Sequence, residues 1–493
     1  MPDVRSVRLL AGLFALLVTA GPSLGQTAES APSDDRPDDR PDVLFIAVDD
    51  LNDWIGCLTN ERSPLGGGHP QTDTPNLDRL AARGVLFTNA HCAAPACNPS
   101  RTAIMTGRRP SSTGLYLNAQ SWPRTVEGVP TLSETFKNAG YDTRGGGKIF
   151  HGSHPREQDE RFWHEYFPLP GFPTPEAAQG KSTANGLGKG HFDWAPLDVG
   201  DEELGDTKLT DWATGVLKEE SPGPRFTAVG LYRPHLPWFV PQKYFDAVPA
   251  DPALPPSPEG DLNDVPAPGV KMARPQGDHA AVTKADQWSA GVRAYLANIR
   301  YADGQVGRLL DALNASGRAD NTIVVLWGDH GWHLGEKEHW RKFTLWERAT
   351  RVPLMILAPG VTEAGGRCDA PVELTSLYPT LCNLCGVPAP EGLDAPSLRP
   401  LLANPRAPWE HAAVTTHGRG NTSVRGERFR LIRYADGERE LYDHRVDPGE
   451  YNNLLNKDAE HIAADALAKS LPTDYVPNAP TSGGAKGPRE AGK

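Results

Sequence analysis

The sequence of 493 residues contains few cysteines and no excess of positive charge. Six cysteines are too few for a fold framed by disulfides. Its 50 Lys and Arg residues against 62 Asp and Glu residues give a formal net charge of −12. A chain this acidic is a poor candidate for nonspecific nucleic-acid binding, so we expect no nucleic-acid partner. Any anionic ligand would need basic side chains gathered at its site.

Long apolar runs are also scarce. The run at residues 9–18 follows Arg5 and Arg8 and precedes Ser23-Leu24-Gly25, a pattern that predicts a signal peptide over residues 1–25. The run is too short to span a bilayer as a helix, although an uncleaved anchor is the alternative. No later run approaches membrane length. We therefore expect an exported protein, periplasmic or secreted, with no integral membrane segment after signal removal.

Composition divides the rest of the chain into four parts. Residues 26–41 are biased toward Asp, Arg, Pro and Ser and are predicted to be a disordered spacer. Residues 42–403 alternate strand-like and helical patterns, which predicts an α/β domain with a mostly parallel central sheet flanked by helices. Residues 409–471 carry an alternating hairpin pattern and are expected to form a small C-terminal subdomain with an antiparallel sheet. A Gly/Pro/Lys-rich tail, residues 472–493, is expected to be disordered.

Local signals place several elements inside the α/β domain. Thr74 as a cap, Pro75 at the first helical position and Gly84 after the end predict a short helix. Apolar positions recur at helical spacing from residue 287 to 313, which predicts a long helix. The proline-crowded stretch 247–275 lacks periodicity and is expected to be a surface excursion of a kind that often borders a site.

Polar side chains follow two apolar runs, residues 43–48 and 322–327, which are typical of strands buried on both faces of a parallel sheet. Ligands collect outside the carboxyl ends of such strands. The side chains there are Asp49, Asp50, Asp329 and His330. Carboxylates suit Ca²⁺ or Mg²⁺, whereas zinc sites more often use histidines and cysteines. Each aspartate alone could be a turn former, but the recurrence at two strand ends favours a metal site.

Two cysteines, Cys382 and Cys385, have the spacing of a redox or zinc motif. They lie in or next to the Leu-rich segment 372–384, which is typical of a core helix. No second Cys/His pair accompanies them. We therefore interpret both as core residues.

The most specific motif runs from Cys97 to Arg108 and reads CNPSRTAIMTGR. The pattern C-x-P-S-R-x-x-x-[LM]-T-G-R resembles the signature of the type I sulfatases, members of the alkaline-phosphatase superfamily. In that family a maturation enzyme oxidises the motif cysteine to Cα-formylglycine, whose hydrate is the nucleophile. The resemblance implies this modification of Cys97 and a formylglycine-generating enzyme as partner. A structural cysteine before a helix is the alternative for this span.

The resemblance covers most of residues 42–450 and is closest to the iduronate-2-sulfatase-like branch. It therefore implies an alkaline-phosphatase-like large domain. Beside the cysteine motif, the segments that carry the resemblance are residues 147–151 (GKIFH), 232–237 (YRPHLP) and 329–332 (DHGW), with Lys342 downstream. By the same resemblance, the ligands of one Ca²⁺ ion would be Asp49, Asp50, the modified residue 97, Asp329 and His330.

Catalytic roles also follow from the resemblance. Lys148 would hold the sulfate oxygens, and Arg101 would anchor the modified side chain and the metal ligands. His235 with Lys342 would protonate the departing sugar oxygen, a weak leaving group. His151 would take a proton from the second hydroxyl of the nucleophile. Lys148, His235 and Lys342 are therefore also candidates for substrate binding.

The implied function is an exported sulfatase that hydrolyses sulfate esters of carbohydrates, with 2-O-sulfated uronic acids of glycosaminoglycans or algal polysaccharides as the branch's substrates. Side chains beside the motifs could contact the carboxylate and the sugar face, although core packing explains such aromatics as well; they are Arg233, Trp238, Trp340 and Arg341. Two alternatives stay open. One is a phosphodiester or phosphonate monoester hydrolase on the same fold, and the other is a noncatalytic carbohydrate-binding relative.

Overall fold

The computed structural model describes residues 39–59, 67–152, 160–180, 182–456 and 461–481. The predicted signal peptide and most of the predicted spacer lie outside these residues and stay predictions, as does the tail beyond residue 481. Within the described residues, no helix is both long enough and apolar enough to cross a membrane.

The described residues contain seventeen strands, which are numbered in chain order. They are β1 Asp42–Val48, β2 Val85–His91, β3 Asp142–Gly147, β4 Glu165–Phe167, β5 Trp194–Leu197, β6 Arg225–Leu231, β7 Trp238–Pro241, β8 Thr322–Gly328, β9 His333–Leu334, β10 Trp340–Arg341, β11 Arg351–Leu357, β12 Gly366–Cys368, β13 Val372–Glu373, β14 Ala413–Thr416, β15 Thr422–Arg425, β16 Phe429–Arg433 and β17 Arg439–Asp443. The main α-helices span Pro75–Ala81, Cys97–Thr106, Pro110–Thr113, Trp122–Thr125, Leu132–Asn138, Gly205–Lys218, Gln242–Asp246, Ala267–Ala273, Asp278–Lys284, Trp288–Ala315, Glu347–Thr350, Leu377–Leu384, Arg399–Ala403 and Ile462–Ala468.

The central sheet has the strand order β12-β2-β11-β8-β1-β6-β3-β4, with β13 also paired to β2. Its strand pairs are parallel except those made by β11, which runs antiparallel to both β2 and β8. Every residue of β1, β6 and β8 is buried. The predicted α/β architecture with a mostly parallel sheet is confirmed.

Helices cover both faces of this sheet, and the side chains of β1 alternate between the two layers. Leu44 belongs to one apolar core with the long helix Trp288–Ala315. Phe45 belongs to a second core with Ile104 of the helix Cys97–Thr106. Burial on both faces is the physical reason for the continuous apolar runs in the sequence.

The short helix Pro75–Ala81 begins where the sequence predicts, but its N-terminus is capped differently. Thr74 makes no capping bond, since its hydroxyl accepts the N–H of Gly56 at 2.8 Å. The buried carboxylate of Asp303 accepts the N–H groups of Asn76 and Leu77 at 3.1 and 2.8 Å. A side chain far along the chain therefore satisfies the helix terminus.

Cys382 and Cys385 lie in the core layer that contains Phe45, and burial raises the pKa of each thiol to about 12. All six cysteines are free. These observations agree with the interpretation of both as core residues.

The C-terminal part forms a four-stranded antiparallel sheet in the order β14-β15-β16-β17, as predicted. Its hairpin turns at Gly437, whose φ of 95° suits glycine. Arg430 forms buried ion pairs, and one of them joins this sheet to the α/β part of the chain. Arg430 of β16 contacts the carboxylate of Glu347, and its Nε lies 2.6 Å from Glu450 Oε1.

One sequence expectation needs correction: residues 472–481 are not a disordered segment. The N–H of Val476 donates to Ser111 O at 2.9 Å, and the N–H of Ser121 donates to Pro480 O at 2.7 Å. The prolines of residues 472–481 disfavour a helix or a central strand, but an extended segment can still form hydrogen bonds with a neighbouring surface.

The ion-pair network predicts how strongly the C-terminal sheet depends on Arg430. Replacing Arg430 with Ala removes the buried cation that Glu347 and Glu450 share, and leaves them only Arg425 and His444 as basic partners, so the free energy of unfolding should fall by about 3–5 kcal/mol. Urea denaturation measures this. The exposed Arg445 of the same subdomain is the control, and its replacement with Ala should change the free energy by less than about 0.5 kcal/mol. Equal, small effects in both variants would contradict the assignment.

Candidate active site

Four adjacent strands deliver polar residues to one edge of the sheet. In the order β8, β1, β6 and β3, the register aligns Gly328 with Val48 and Val48 with Leu231, and Gly230 with Gly147. The residues that follow these strands are Asp329, Asp49, Tyr232 and Lys148. Parallel strands end at a common edge, so the predicted ligands and cations are neighbours although they are far apart in sequence.

The tight turn that follows β1 is hydrogen-bonded to the residue that follows β8. Asp50 has a φ of 59°, in the left-handed region that non-glycine residues rarely adopt. Its N–H donates to Asp329 Oδ1 at 3.0 Å. The turn after β1 is thereby tied to the end of β8.

The motif helix Cys97–Thr106 is buried along its whole length and points its first residue at the same edge. Ser100 Oγ donates to the backbone oxygen of Asp329 at 2.5 Å. The helix ends at Gly107 with φ 66°, where a Cβ would lie 2.4 Å from Leu393 Cδ2. The left-handed C-terminus and the close side chain explain the glycine of the motif.

Arg101, fully buried on this helix, bridges two carboxylates. Its Nε donates to Asp329 Oδ2 at 2.8 Å and its Nη2 donates to Asp49 Oδ1 at 3.0 Å. Its Nη1 also donates to the backbone oxygen of Lys148. Burial alone would lower the pKa of Arg101, but Asp329 and Asp49 raise it above its ordinary value. The guanidinium therefore remains charged and holds three strand ends together.

Three cationic or potentially cationic groups surround the sulfur of Cys97. Lys342 Nζ lies 3.0 Å from Sγ, His330 Nε2 lies 3.3 Å from it and Lys148 Nζ lies 3.7 Å from it. Burial raises the pKa of this thiol, yet Lys148, Lys342 and His330 together lower it well below its usual range. Position 97 is thus a place where negative charge is stabilised.

The donor atoms at this edge fit one divalent cation. One ligand atom each from Asp49, Asp50, Cys97 and His330 lies within 4.8 Å of the others, and all four residues are buried. Asp50 Oδ2 is buried without a hydrogen-bond partner. A cation would satisfy that oxygen, and the two carboxylates of the set suit a hard ion.

Asp329, the remaining predicted ligand, stands beside this cluster with its Oδ2 3.6 Å from His330 Nε2. Both of its oxygens already accept hydrogen bonds, from the Asp50 N–H and from Arg101. Burial raises the pKa of this carboxyl to about 6, against the opposing influence of Arg101 and His330. Its second lone pairs could still face a cation.

The two remaining predicted histidines also reach the cluster. His235 Nδ1 lies 2.6 Å from Leu236 O, which leaves Nε2 directed toward the site, 3.9 Å from Asp50 Oδ2. The side chain of His151 lies beside Cys97 and helps to lower the pKa of its thiol, and its Nδ1 is buried without a hydrogen-bond partner among the described residues. The predicted catalytic side chains therefore converge, while the roles assigned to them stay predictions.

Sequence reasoning missed two residues that position this site. The carboxylate of Asp206 accepts the N–H groups of Tyr232 and Arg233, both at 2.8 Å, and so fixes the turn before His235. Tyr295 donates its hydroxyl to Asp50 O at 2.7 Å and accepts the Asn52 N–H at 2.9 Å. In the sequence, Asp206 resembles an ordinary acidic residue near the start of a helix. Tyr295 resembles one more apolar position of the long helix.

Three of the four proposed sugar contacts are core residues instead. Arg233 is fully buried, and its guanidinium lies over the ring of Phe172 at 4.5 Å. Trp238 and Trp340 are also buried, and each stacks on the ring of Trp194. Arg341 alone of the four keeps a partly exposed side chain.

Comparison with known proteins gives consistent matches. The model of the family Sulfatase matches residues 41–387, and a model described as N-sulphoglucosamine sulphohydrolase, C-terminal, matches residues 335–474. A "Sulfatase" of Formosa agariphila is 38% identical over 455 residues, covering 88% of this chain and 87% of the relative. Iduronate 2-sulfatase of Mus musculus is 33% identical over 419 residues, covering 75% and 73%.

Among solved structures, a phosphonate monoester hydrolase of Agrobacterium radiobacter superimposes with a TM-score of 0.71. It covers 87% of this chain and 94% of that one at 22% identity. A likeness at this level of identity shows a common fold.

The Tyr295 tether predicts a specific effect on cation binding. Tyr295→Phe leaves the Asn52 N–H and the Asp50 carbonyl without their partner, so the free energy of unfolding should fall by about 1–3 kcal/mol. The affinity for a divalent cation, titrated calorimetrically with Ca²⁺ and with Mg²⁺, should fall as well because Asp50 is released.

Tyr301→Phe is the matched control, since Tyr301 lies on the same helix and, among the residues that the structure describes, its hydroxyl bonds only to Thr207. It should destabilise the protein and leave cation affinity unchanged. If both variants bind the cation as tightly as the unaltered protein, Tyr295 does not position Asp50.

Proposed function

The chain belongs to the sulfatase family and is a sulfuric ester hydrolase, and from this premise we propose that it removes the 2-O-sulfate of uronic acid residues in glycosaminoglycans or algal polysaccharides. The observation that carries the proposal is the placement of Lys342, His330 and Lys148 within 3.7 Å of the Cys97 sulfur. The similarity to iduronate 2-sulfatase over three quarters of the chain supports the choice of sugar.

Residue 97 supplies the nucleophile in this proposal. Oxidation of Cys97 by a maturation enzyme gives formylglycine, and addition of water to the aldehyde gives a side chain with two hydroxyl groups. The position suits such a group because cations surround it on several sides and a helix N-terminus begins there.

One Ca²⁺ ion, held by Asp49, Asp50, Asp329, His330 and residue 97, would add positive charge beside the nucleophile and the sulfate oxygens. Arg101 keeps two of these carboxylates in place through its paired hydrogen bonds. A competition titration separates Ca²⁺ from Mg²⁺ by affinity.

The lysines bind the anion in this proposal. Burial lowers the pKa of Lys148 and of Lys342, but Asp49 beside the first and Asp50 beside the second raise each pKa above its usual range. Both ammonium groups therefore stay charged at neutral pH. Ammonium groups held in a buried site stabilise the charge that develops on sulfate oxygens without reorganising water.

The histidines move protons. Because Nδ1 of His235 faces the carbonyl of Leu236, a proton on Nε2 can be delivered to the departing sugar oxygen. His151, which lies beside position 97, would take a proton from the second hydroxyl of that residue.

Hydrolysis of phosphonate monoesters is the alternative on this fold. Initial rates on matched sulfate and phosphonate esters separate the two activities. A higher kcat/KM on the sulfate ester supports the proposal, and the reverse order contradicts it.

The modification of Cys97 gives a direct prediction. The peptide spanning Cys97 should have the mass of the aldehyde when the protein is produced in its own host or beside a formylglycine-generating enzyme. Mass spectrometry of the digested protein measures this. Unmodified cysteine in active protein from the native source would rule out the proposed nucleophile. Unmodified cysteine in inactive protein from that source would favour the noncatalytic alternative.

The role of His235 gives a second prediction. His235→Gln should lower kcat/KM on an alkyl sulfate, such as a sulfated sugar, by about 100- to 10,000-fold, because that leaving group needs a general acid. Hydrolysis of an activated aryl sulfate should be far less affected. His411→Gln, at an exposed and remote position, is the control. Equal losses of kcat/KM on the alkyl and aryl sulfates would contradict the assignment of His235 as the general acid.

A further inference from the structure

A large cleft opens beside the active site. Its volume is about 1090 Å³, slightly above the roughly 300–1,000 Å³ that is typical of ligand pockets. Its walls include the helix Ala267–Ala273 of the proline-rich excursion, the segment 339–343 and loop residues 417, 421, 435 and 436 of the C-terminal sheet. The space is larger than a single sulfated sugar needs.

Consecutive residues join this cleft to the catalytic centre. Arg341 and Phe343 line the cleft, whereas Lys342 between them places its Nζ 3.0 Å from Cys97 Sγ. The N–H of Phe343 donates to Pro95 O at 3.1 Å, two residues before Cys97. A ligand in the cleft would therefore be continuous with one held at the catalytic centre.

The backbone of this shared segment is held in an unfavourable conformation. Arg341 has φ 85° and Phe343 has φ 76°, both in the region that disfavours side chains. With this backbone, the side chains of Arg341 and Phe343 face the cleft, and the side chain of Lys342 between them faces Cys97. Strain of this kind persists where the surrounding structure enforces it, and it is concentrated at ligand sites.

The cleft is basic although the chain as a whole is acidic. The side chains of Lys189, Lys271 and Arg274 line it and make no hydrogen bond or ion pair to any other residue that the structure describes. Arg341 adds a fourth cation, which Asp278 pairs at 2.5 Å. Cations without partners in a cleft focus the field and attract anions.

Apolar and neutral polar groups complete the lining. Phe343 is half-buried, with its ring 5.8 Å from that of His417. Burial lowers the pKa of His417 to about 4, so the imidazole is neutral at pH 7, and its Nδ1 has no hydrogen-bond partner among the described residues. A ring face beside a neutral hydrogen-bonding group is the combination that suits a sugar.

We propose that this cleft binds the neighbouring residue of the polymer, a sugar that carries its own carboxylate or sulfate, so that the enzyme recognises an anionic oligosaccharide rather than a single sugar. Lys271 and Arg274 contact the anionic group, and Phe343 supports the sugar ring. The inference rests on the proposed function, because it requires that the catalytic centre hold a sulfated carbohydrate.

The double variant Lys271→Ala/Arg274→Ala tests the cleft. The ratio of kcat/KM on a 2-O-sulfated uronate tetrasaccharide to kcat/KM on an aryl sulfate should fall by about 10- to 100-fold, the loss expected when charged hydrogen bonds are removed. Added salt should reduce the ratio of the unaltered enzyme more than that of the variant. Arg399→Ala/Lys469→Ala removes the same charge at exposed sites and should leave the ratio unchanged.

Calorimetry on Cys97→Ala protein supplies a measurement that does not depend on turnover. The tetrasaccharide should bind more tightly than the 2-O-sulfated monosaccharide, and adding the two cleft substitutions should remove the difference. Tetrasaccharides whose neighbouring residue lacks either the carboxylate or the sulfate identify which anion is recognised, since only the loss of the recognised group weakens binding.

The failures of the two proposals are distinguishable. If the enzyme desulfates the panel of 2-O-sulfated uronates but the cleft variant and its control have the same ratio, the cleft proposal is overturned and the proposed function stands. If the enzyme hydrolyses aryl sulfates and no 2-O-sulfated uronate of any length, and the tetrasaccharide does not bind, both are overturned.

Discussion

The buried guanidinium of Arg101 is the interaction on which the rest of the site depends. It joins the first turn of the motif helix to the ends of β1 and β8, and through the backbone of Lys148 to the end of β3. An unpaired charge in such a place would cost several kcal/mol. The pairing is therefore a condition of folding as well as of function, because the geometry that satisfies Arg101 also sets the positions of the metal-ligand candidates.

Next to the Arg101 ion pairs, several positively charged groups are held close together. Lys148, Lys342 and His330 all face position 97, and each is stabilised by a carboxylate on its other side. Fixed cations in a buried site need no solvent reorganisation when negative charge develops, which is the general basis of electrostatic catalysis. The catalytic centre can hold an anion within an acidic protein because this positive charge is local.

The C-terminal sheet takes part in the site through packing. Arg430 and Glu347 fasten β16 against the catalytic part of the chain in a buried ion pair. The loops next to this sheet carry His417 and Asp436 to the wall of the cleft. A rigid junction between the sheets is therefore what gives the cleft a defined shape, and the excursion helix closes its other side.

Local pattern was sufficient for much of this protein. Buried strands such as β1 and β8, the long helix and the cysteine motif depend on periodicity and short-range sequence, so the sequence predicted them and the polar residues that follow the strands. Tertiary structure decided what depends on distant partners: that Trp238 and Trp340 lie in the core, that residues 472–481 bond to a neighbouring surface, and that Tyr295 holds the Asp50 turn. Tertiary structure also decided the convergence of the side chains at positions 50, 97 and 342 and the presence of the cleft beside them. Burial and side-chain contacts arise only when segments hundreds of residues apart pack together, and a linear sequence does not specify those contacts one by one.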